Sequence, residues 1–233
     1  MDYKTGCTIC GSELVYNNNY SKFECFYCKN KFDTNVICIN GHFICDNCHS
    51  LPAYEIIQQF CLNTKLTDPI EIAITLMQHN SIKMHGPEHH YLVPAVLLTA
   101  FYNIKGEPAK KKNQLALAEK RAKNVLGGFC GFYGCCGAAI GTGIFMSLIT
   151  GATPLSKNEW QLSNMLTAIT LHSIATIGGP RCCKRDTFIA LLESIKFLKD
   201  NYQISIDYNN DFFCKFSSLN QQCLKHNCIF FKK

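Results

Sequence analysis

Four pairs of metal-ligating side chains stand at knuckle spacing in the first fifty residues: Cys7-x2-Cys10, Cys25-x2-Cys28, Cys38-x3-His42 and Cys45-x2-Cys48. No other feature limits so tightly what this chain can fold into. Two residues between thiolates let both sulfurs face one tetrahedral ion at about 2.3 Å each. Eight ligands complete two such sites. A segment this short buries too little apolar surface to fold alone, so bound metal has to supply its folding energy. In "CINGHFICDNC", Gly41 permits a tight turn beside His42, and Phe43 and Ile44 can pack beneath the knuckle.

Spacing leaves the pairing open. The order CxxC, CxxC, CxxxH, CxxC resembles the cross-braced arrangement of RING-like zinc modules, in which pairs one and three share an ion. Sequential pairing, as in a zinc ribbon, is equally compatible. His49 could replace one ligand. The expected cofactor is zinc, two ions in the module, with a rubredoxin-like iron site as the alternative, because spacing does not separate zinc from iron. The module is expected to be structural, docking on the rest of the chain or on a protein partner.

The chain has 233 residues, of which 16 are cysteine and 8 histidine. A disulfide scaffold would be the bland explanation, but the chain is long and rich enough in core to need no staples. The opening "MDYKTGCTIC" has neither a basic nor an apolar leader segment, so the expectation is a cytoplasmic chain whose clustered thiols are ligands or redox groups. Charged residues make up only 17% and hydrophobic ones 47%, a globular balance. Much of the net charge of +6 lies in Lys110, Lys111, Lys112, Lys120, Arg121 and Lys123. That run lacks interleaved aromatics and reads as a solvated helix face, not as a nucleic-acid footprint.

From Pro52 the texture becomes helical. Apolar residues recur at helical spacing in "PAYEIIQQFCLNT", and "DPIEIAITLMQHN" begins with Asp68 as an N-cap and Pro69 in the first turn. Further helices are expected over 91–103, 108–126, 137–150, 157–177 and 183–200, the fourth with a Ser156/Glu159 capping box. "YQISI", 202–206, reads as the one strand. The expected fold is mainly α: a metal-stabilised module over 1–50, then an all-helical bundle over 51–233 with a cysteine-rich tail. The charge-free run from Gly127 to Ser156 raises a membrane span, but its helix is short, glycine-rich and broken at both ends. Gly137 and Gly141 more naturally admit a close neighbouring helix.

Two turns in the helical part concentrate sulfur. Cys130, Cys135 and Cys136 lead into the glycine-rich helix, where unpaired backbone N–H groups stabilise thiolates. In "GGPRCCKRDTF", Cys182 and Cys183 stand among Arg181, Lys184 and Arg185 at another helix start, a setting expected to lower a thiol pKa. Vicinal cysteines rarely bond each other without strain, so each should face a different partner. The tail adds Cys214, Cys223 and Cys228, as a second ligand set or as missing ligands for the first. In "HGPEHHY", His85 with His89 or His90 could ligate metal or move protons beside those cysteines, or a histidine and Glu88 could simply orient their neighbours.

"HGPEHHYLVPAVLLTA", "GGFCGFYGCCGAAIGTGIFMSLITGATPLS" and "GGPRCCKRDTF", with the cysteine-rich tail, resemble an uncharacterised family of mainly archaeal and anaerobic bacterial proteins, the DUF5714 type. The resemblance implies a cytosolic, anaerobe-associated protein, sometimes fused to or encoded near methyltransferase-type enzymes. It implies no reaction. "GCCGAAIGTG" also looks like the glycine–cysteine–alanine helix of redox-active cysteine proteins.

Two functions from different classes follow. The first is a redox or sulfur-handling protein with Cys182, Cys183, Arg181 and His85 as reacting groups. Cys130, Cys135, Cys136, His89, Cys214, Cys223 and Cys228 would hold a cofactor such as a 4Fe-4S cluster. The second is a zinc-binding adaptor, with the module or the Lys-rich helix contacting a protein or nucleic acid and every metal site structural.

Overall fold

A computed structural model describes residues 7, 9, 10, 12–45, 48 and 52–232; His49 lies outside them. The N-terminal module is built on an antiparallel hairpin of β1 (Leu14–Glu24) and β2 (Lys31–Cys38), which pair from Leu14 opposite Cys38 to Glu24 opposite Lys31. The register is interrupted between Tyr16 and Ser21. These strands carry no alternation that the sequence could betray, since β1 is exposed along most of its length. The hairpin is pinned at its two ends, by Cys10 beside Cys38 and by Cys25 and Cys28 in its turn.

Eight α-helices follow among the described residues. They are α1 (Ala53–Asn63), α2 (Pro69–Met77), α3 (Glu88–Lys105), α4 (Pro108–Ala122), α5 (Phe129–Phe132), α6 (Gly137–Thr150), α7 (Asn158–Ile177) and α8 (Cys183–Tyr202). The centre is α3, buried from Tyr91 to Tyr102 and packed against α1, α2, α4, α6 and α8. Such all-round burial is why its sequence is apolar without a polar stripe.

The glycines of α6 do what their spacing suggests. A Cβ at Gly137 would overlap the His90 ring, and one at Gly141 would meet Pro94 Cδ at 2.9 Å and Val93 Cβ at 3.0 Å. A Cβ at Gly143 would overlap the Thr167 hydroxyl of α7. The helix is thus clamped between α3 and α7. No helix of the described residues is long and apolar enough to cross a membrane.

Asp68 caps α2 as expected, its Oδ1 accepting from Ile70 N at 2.7 Å and Glu71 N at 3.2 Å. The Ser156/Glu159 box does not form. Ser156 Oγ instead accepts from Thr153 N at 3.0 Å, and Lys157 takes the cap position without a side-chain bond. "YQISI" is also corrected. Helix α8 continues to Tyr202, and 203–209 runs without strand pairing, since the only sheet among the described residues is the hairpin. Ile206 is buried, so the alternation records burial of a loop, not a ladder.

Module and bundle share one hydrophobic cluster. Tyr27 is fully buried, edge-on to Phe60 of α1 (5.8 Å between ring centroids) and to His79 after α2 (4.9 Å). His79 Nε2 bonds the Cys48 carbonyl at 2.9 Å, joining the last knuckle to the bundle.

Candidate metal and thiol sites

The module's ligands segregate into two tetrads. Cys7, Cys10, Cys38 and His42 form one; Cys25, Cys28, Cys45 and Cys48 form the other. In each, the ligand atoms lie within 4.8 Å of one another. Pairs one and three therefore meet, as do pairs two and four, which is the cross-braced alternative and excludes the sequential one. Cys10 and Cys38 sulfurs are 3.5 Å apart, Cys28 and Cys45 sulfurs 3.9 Å. A tetrahedral ion with bonds of about 2.3 Å sets its sulfurs roughly 3.8 Å apart, so both sites match a single ion.

Backbone and side-chain donors already point at the sulfurs. Asn40 N donates to Cys38 Sγ at 3.4 Å, Asn40 Nδ2 to Cys10 Sγ at 3.6 Å, and Cys45 N to Cys25 Sγ at 3.4 Å. Such donors favour the thiolate that a metal needs. His42 Nδ1 is buried without a hydrogen-bond partner, as expected of a nitrogen kept for a ligand. The turn that presents it uses Gly41 at φ +82°. The two tetrads could hold metal ions and are consistent with zinc.

The second concentration of thiols surrounds the N-terminus of α8, and here the structure redraws the expected site. Cys182 lines a small pocket with Cys214, Cys223 and Cys228 of the tail. The tail is held there by Phe212 and Phe230, which pack on Phe188 of α8 at centroid distances of 5.1 and 5.3 Å. Cys214 N donates to Phe230 O at 2.7 Å and so closes the tail on itself. Cys183 faces elsewhere. Its sulfur lies by the Gly86 N–H and is close enough to Cys136 for their charges to interact. The vicinal pair thus has different partners, as expected. Cys136 Sγ reaches Asp186 Oδ2 at 3.8 Å, so the two sulfur-rich turns do meet. They meet through Cys136, not through Cys130 or Cys135. Those two are half-buried on α5 and the following turn, and neither lines the pocket with Cys182.

The expected lowering of the vicinal thiols does not occur. Burial pushes both up, Cys183 to about 11, with the Asp186 carboxylate adding to the rise. The pull of Arg181 and Arg185 on the two thiols is outweighed by burial, and Lys184 is engaged elsewhere. Lys184 turns into the core, where its Nζ donates to Met77 O and Ile82 O at 3.1 Å each. Arg185 Nε donates to Asp186 Oδ1 at 3.0 Å, and Arg181 is exposed.

The histidines divide in the same way. His89 is buried with both ring nitrogens bonded, Nδ1 to the Thr187 hydroxyl at 3.1 Å and Nε2 to Lys83 O at 3.2 Å, so it has no lone pair for a cofactor. His90 Nδ1 donates to Val125 O at 2.9 Å. Glu88 accepts from Lys83 N at 2.8 Å, which makes it an organiser of the loop before α3. His85 alone reaches the thiol pocket, through Asn220. Its Nε2 lies 3.3 Å from Asn220 Oδ1, and Asn220 Nδ2 approaches Cys182 Sγ at 3.7 Å. Asn220 and His79 carry no sequence signal of their own; only the fold reveals them.

Comparison with known proteins gives one match. Residues 57–231 fit the model of a family of unknown function, DUF5714. The matched stretch includes every cysteine around α8 and the tail, and begins after the eight module ligands. No curated protein and no solved structure matches.

Proposed function

The chain belongs to the DUF5714 family, whose description assigns no activity, and from that premise we propose that it is a metal-binding protein of redox or sulfur-handling chemistry. Two zinc ions in the cross-braced module fix the bundle's loop 78–87, through Cys48 and His79, beside a thiol site at the N-terminus of α8. The observation that carries the reading is the convergence there of Cys136, Cys182 and Cys183 around one carboxylate, Asp186, with Cys182 also sharing a pocket with the tail cysteines. Thiols gathered at that density in a reducing cytoplasm serve as ligands or as sulfur and electron carriers. His85 positions Asn220 against Cys182, and the exposed Arg181 is available to an anionic substrate.

The test is anaerobic purification with metal analysis and thiol mapping by mass spectrometry. Two zinc per chain are expected, falling to one in Cys25→Ser and in Cys10→Ser. Cys136 and Cys183 should change oxidation or persulfide state together when the protein is challenged with a disulfide or a sulfane-sulfur donor. Zinc alone, with both thiols inert to either challenge, would exclude the redox and sulfur reading.

An adaptor role has one observation in its favour. Tyr16, Tyr20 and Ile39 project from the hairpin at 72%, 70% and 65% exposure, and aromatic and aliphatic residues in that setting suit a protein partner. The basic helix supports nucleic-acid binding less well. Lys111 is buried, Lys110 pairs with Glu107, and Lys123 pairs with Glu119.

A further inference from the structure

We propose that Cys182, Cys214, Cys223 and Cys228 are the four ligands of an iron–sulfur cluster, held in the pocket between the N-terminus of α8 and the tail. The proposal deepens the function above by naming the cofactor class and its ligand set.

The spacing of the sulfurs carries it first. They line one pocket, yet only the two module tetrads bring three or more ligand atoms within 4.8 Å among the described residues. A single ion draws its sulfurs to about 3.8 Å. Sulfurs that share a pocket at wider separation suit a group with several metal atoms, of which iron–sulfur clusters are the four-cysteine case.

Backbone geometry repeats the pattern of the metal module. Phe216 N donates to Cys214 Sγ at 3.4 Å and Lys225 N to Cys223 Sγ at 3.4 Å, each two residues on, as Asn40 N does to Cys38 Sγ. Asn220 Nδ2 adds a donor to Cys182. These turns face their donors toward negative sulfur, which is how a protein holds thiolates and tunes a cluster.

The third observation is Arg185. It is 3% exposed and lines the pocket, and its Nη1 is buried with no hydrogen-bond partner. Its other nitrogens are used, Nε on Asp186 and Nη2 on Pro180 O at 3.4 Å. An orphaned guanidinium N–H at this depth costs stability unless something anionic accepts it. No carboxylate lines the pocket. Four thiolates around a cationic iron–sulfide core leave a net negative charge, which Arg185 meets directly.

The 233-residue chain, purified without oxygen, is to be reconstituted with equal iron(II) and iron(III), sulfide and thiol reductant, then desalted. The four thiols lose their protons on ligation, and no external oxidant is needed for a mixed-valence core. Iron and acid-labile sulfide in equal amounts are expected, with the broad visible absorption of a cluster. Cys223→Ser and Cys228→Ser, on the half-buried tail, should each lose at least half of the iron and sulfide while keeping two zinc per chain and the helical circular dichroism. Cys130→Ser should retain the cluster. Loss of the cluster in Cys130→Ser with retention in both tail variants would overturn the assignment, as would zinc in the pocket or no iron at all. The zinc count and the Cys136/Cys183 labelling come from the same preparations, so failure of the cluster is distinguishable from failure of the broader reading.

Discussion

His89 shows how a residue suited to chemistry becomes a structural one. Burial, aided by the nearby Lys184 ammonium, pulls its imidazole down to about 3. The unfolded chain protonates near 6.5, so it binds the proton more readily than the folded one. The stability His89 contributes is therefore complete above that pH and drains away as pH falls toward 3. Glutamine can keep both hydrogen bonds without titrating. The stability difference between wild type and His89→Gln, measured by urea unfolding, should shrink between pH 7 and pH 4. A constant difference would mean that the ring takes up its proton equally in the folded and unfolded states, so that folding does not lower its pKa. Lys111 makes the same point about charge. It sits in a lysine run that reads as solvent-facing, yet its Nζ donates to Thr64 O at 3.1 Å and Asn103 Oδ1 at 2.9 Å inside the core. Lys111→Met is expected to cost about 1 to 3 kcal/mol by leaving Asn103 Oδ1 unpaired, while Thr64 O keeps its bond from Asn103 Nδ2 at 3.1 Å, read from the same denaturation curves.

At the scale of elements, α6 and α2 give the sharpest expectations. Gly143 sits where the Thr167 hydroxyl leaves no room, and Gly141 where Val93 and Pro94 do the same. Valine at either should push α6 off its neighbours and cost on the order of 1 to 3 kcal/mol, with the larger effect at Gly141, which faces the rigid Pro94 ring and Val93 Cβ, whereas the Thr167 hydroxyl at Gly143 can rotate away. A thermal midpoint unchanged within error would show that the helices can part cheaply. Asp68 caps α2 with one oxygen and accepts from Asn209 N at 2.9 Å with the other, tying the segment after α8 to the start of the bundle. Asp68→Ala should cost about 1 to 2 kcal/mol, more than a cap alone typically does, and should raise amide exchange at Asn209.

For the molecule as a whole, the module and bundle are coupled through Tyr27, Phe60 and His79. Removing metal with a strong chelator is expected to make the segment 12–45 protease-sensitive. Helical signal should largely persist, because the bundle has its own core. Tyr27→Ala, which opens the seam without touching a ligand, should leave two zinc bound but lower the bundle's unfolding midpoint. If chelation abolished the helical signal entirely, the bundle would depend on the metal in a way its packing does not suggest.

What the sequence settled by itself was chemistry that local spacing encodes. Ligand pairs two or three residues apart announce metal sites, apolar residues at helical period announce helices, and Asp68-Pro69 announces a helix start. Gly137 and Gly141 disclose a close packing partner without saying which. Tertiary structure alone decided what depends on residues far apart in the chain. It chose cross-bracing over sequential pairing, paired an exposed strand with a half-buried one, and gave Cys182 to the tail in place of Cys130 and Cys135. It also turned Lys184 and His89 inward. The physical reason is the same each time. A short spacing constrains geometry through covalent bonds, whereas a long-range meeting is set by which buried surfaces pack together, such as Phe188 against Phe212 and Phe230, and that choice is made by the whole core at once.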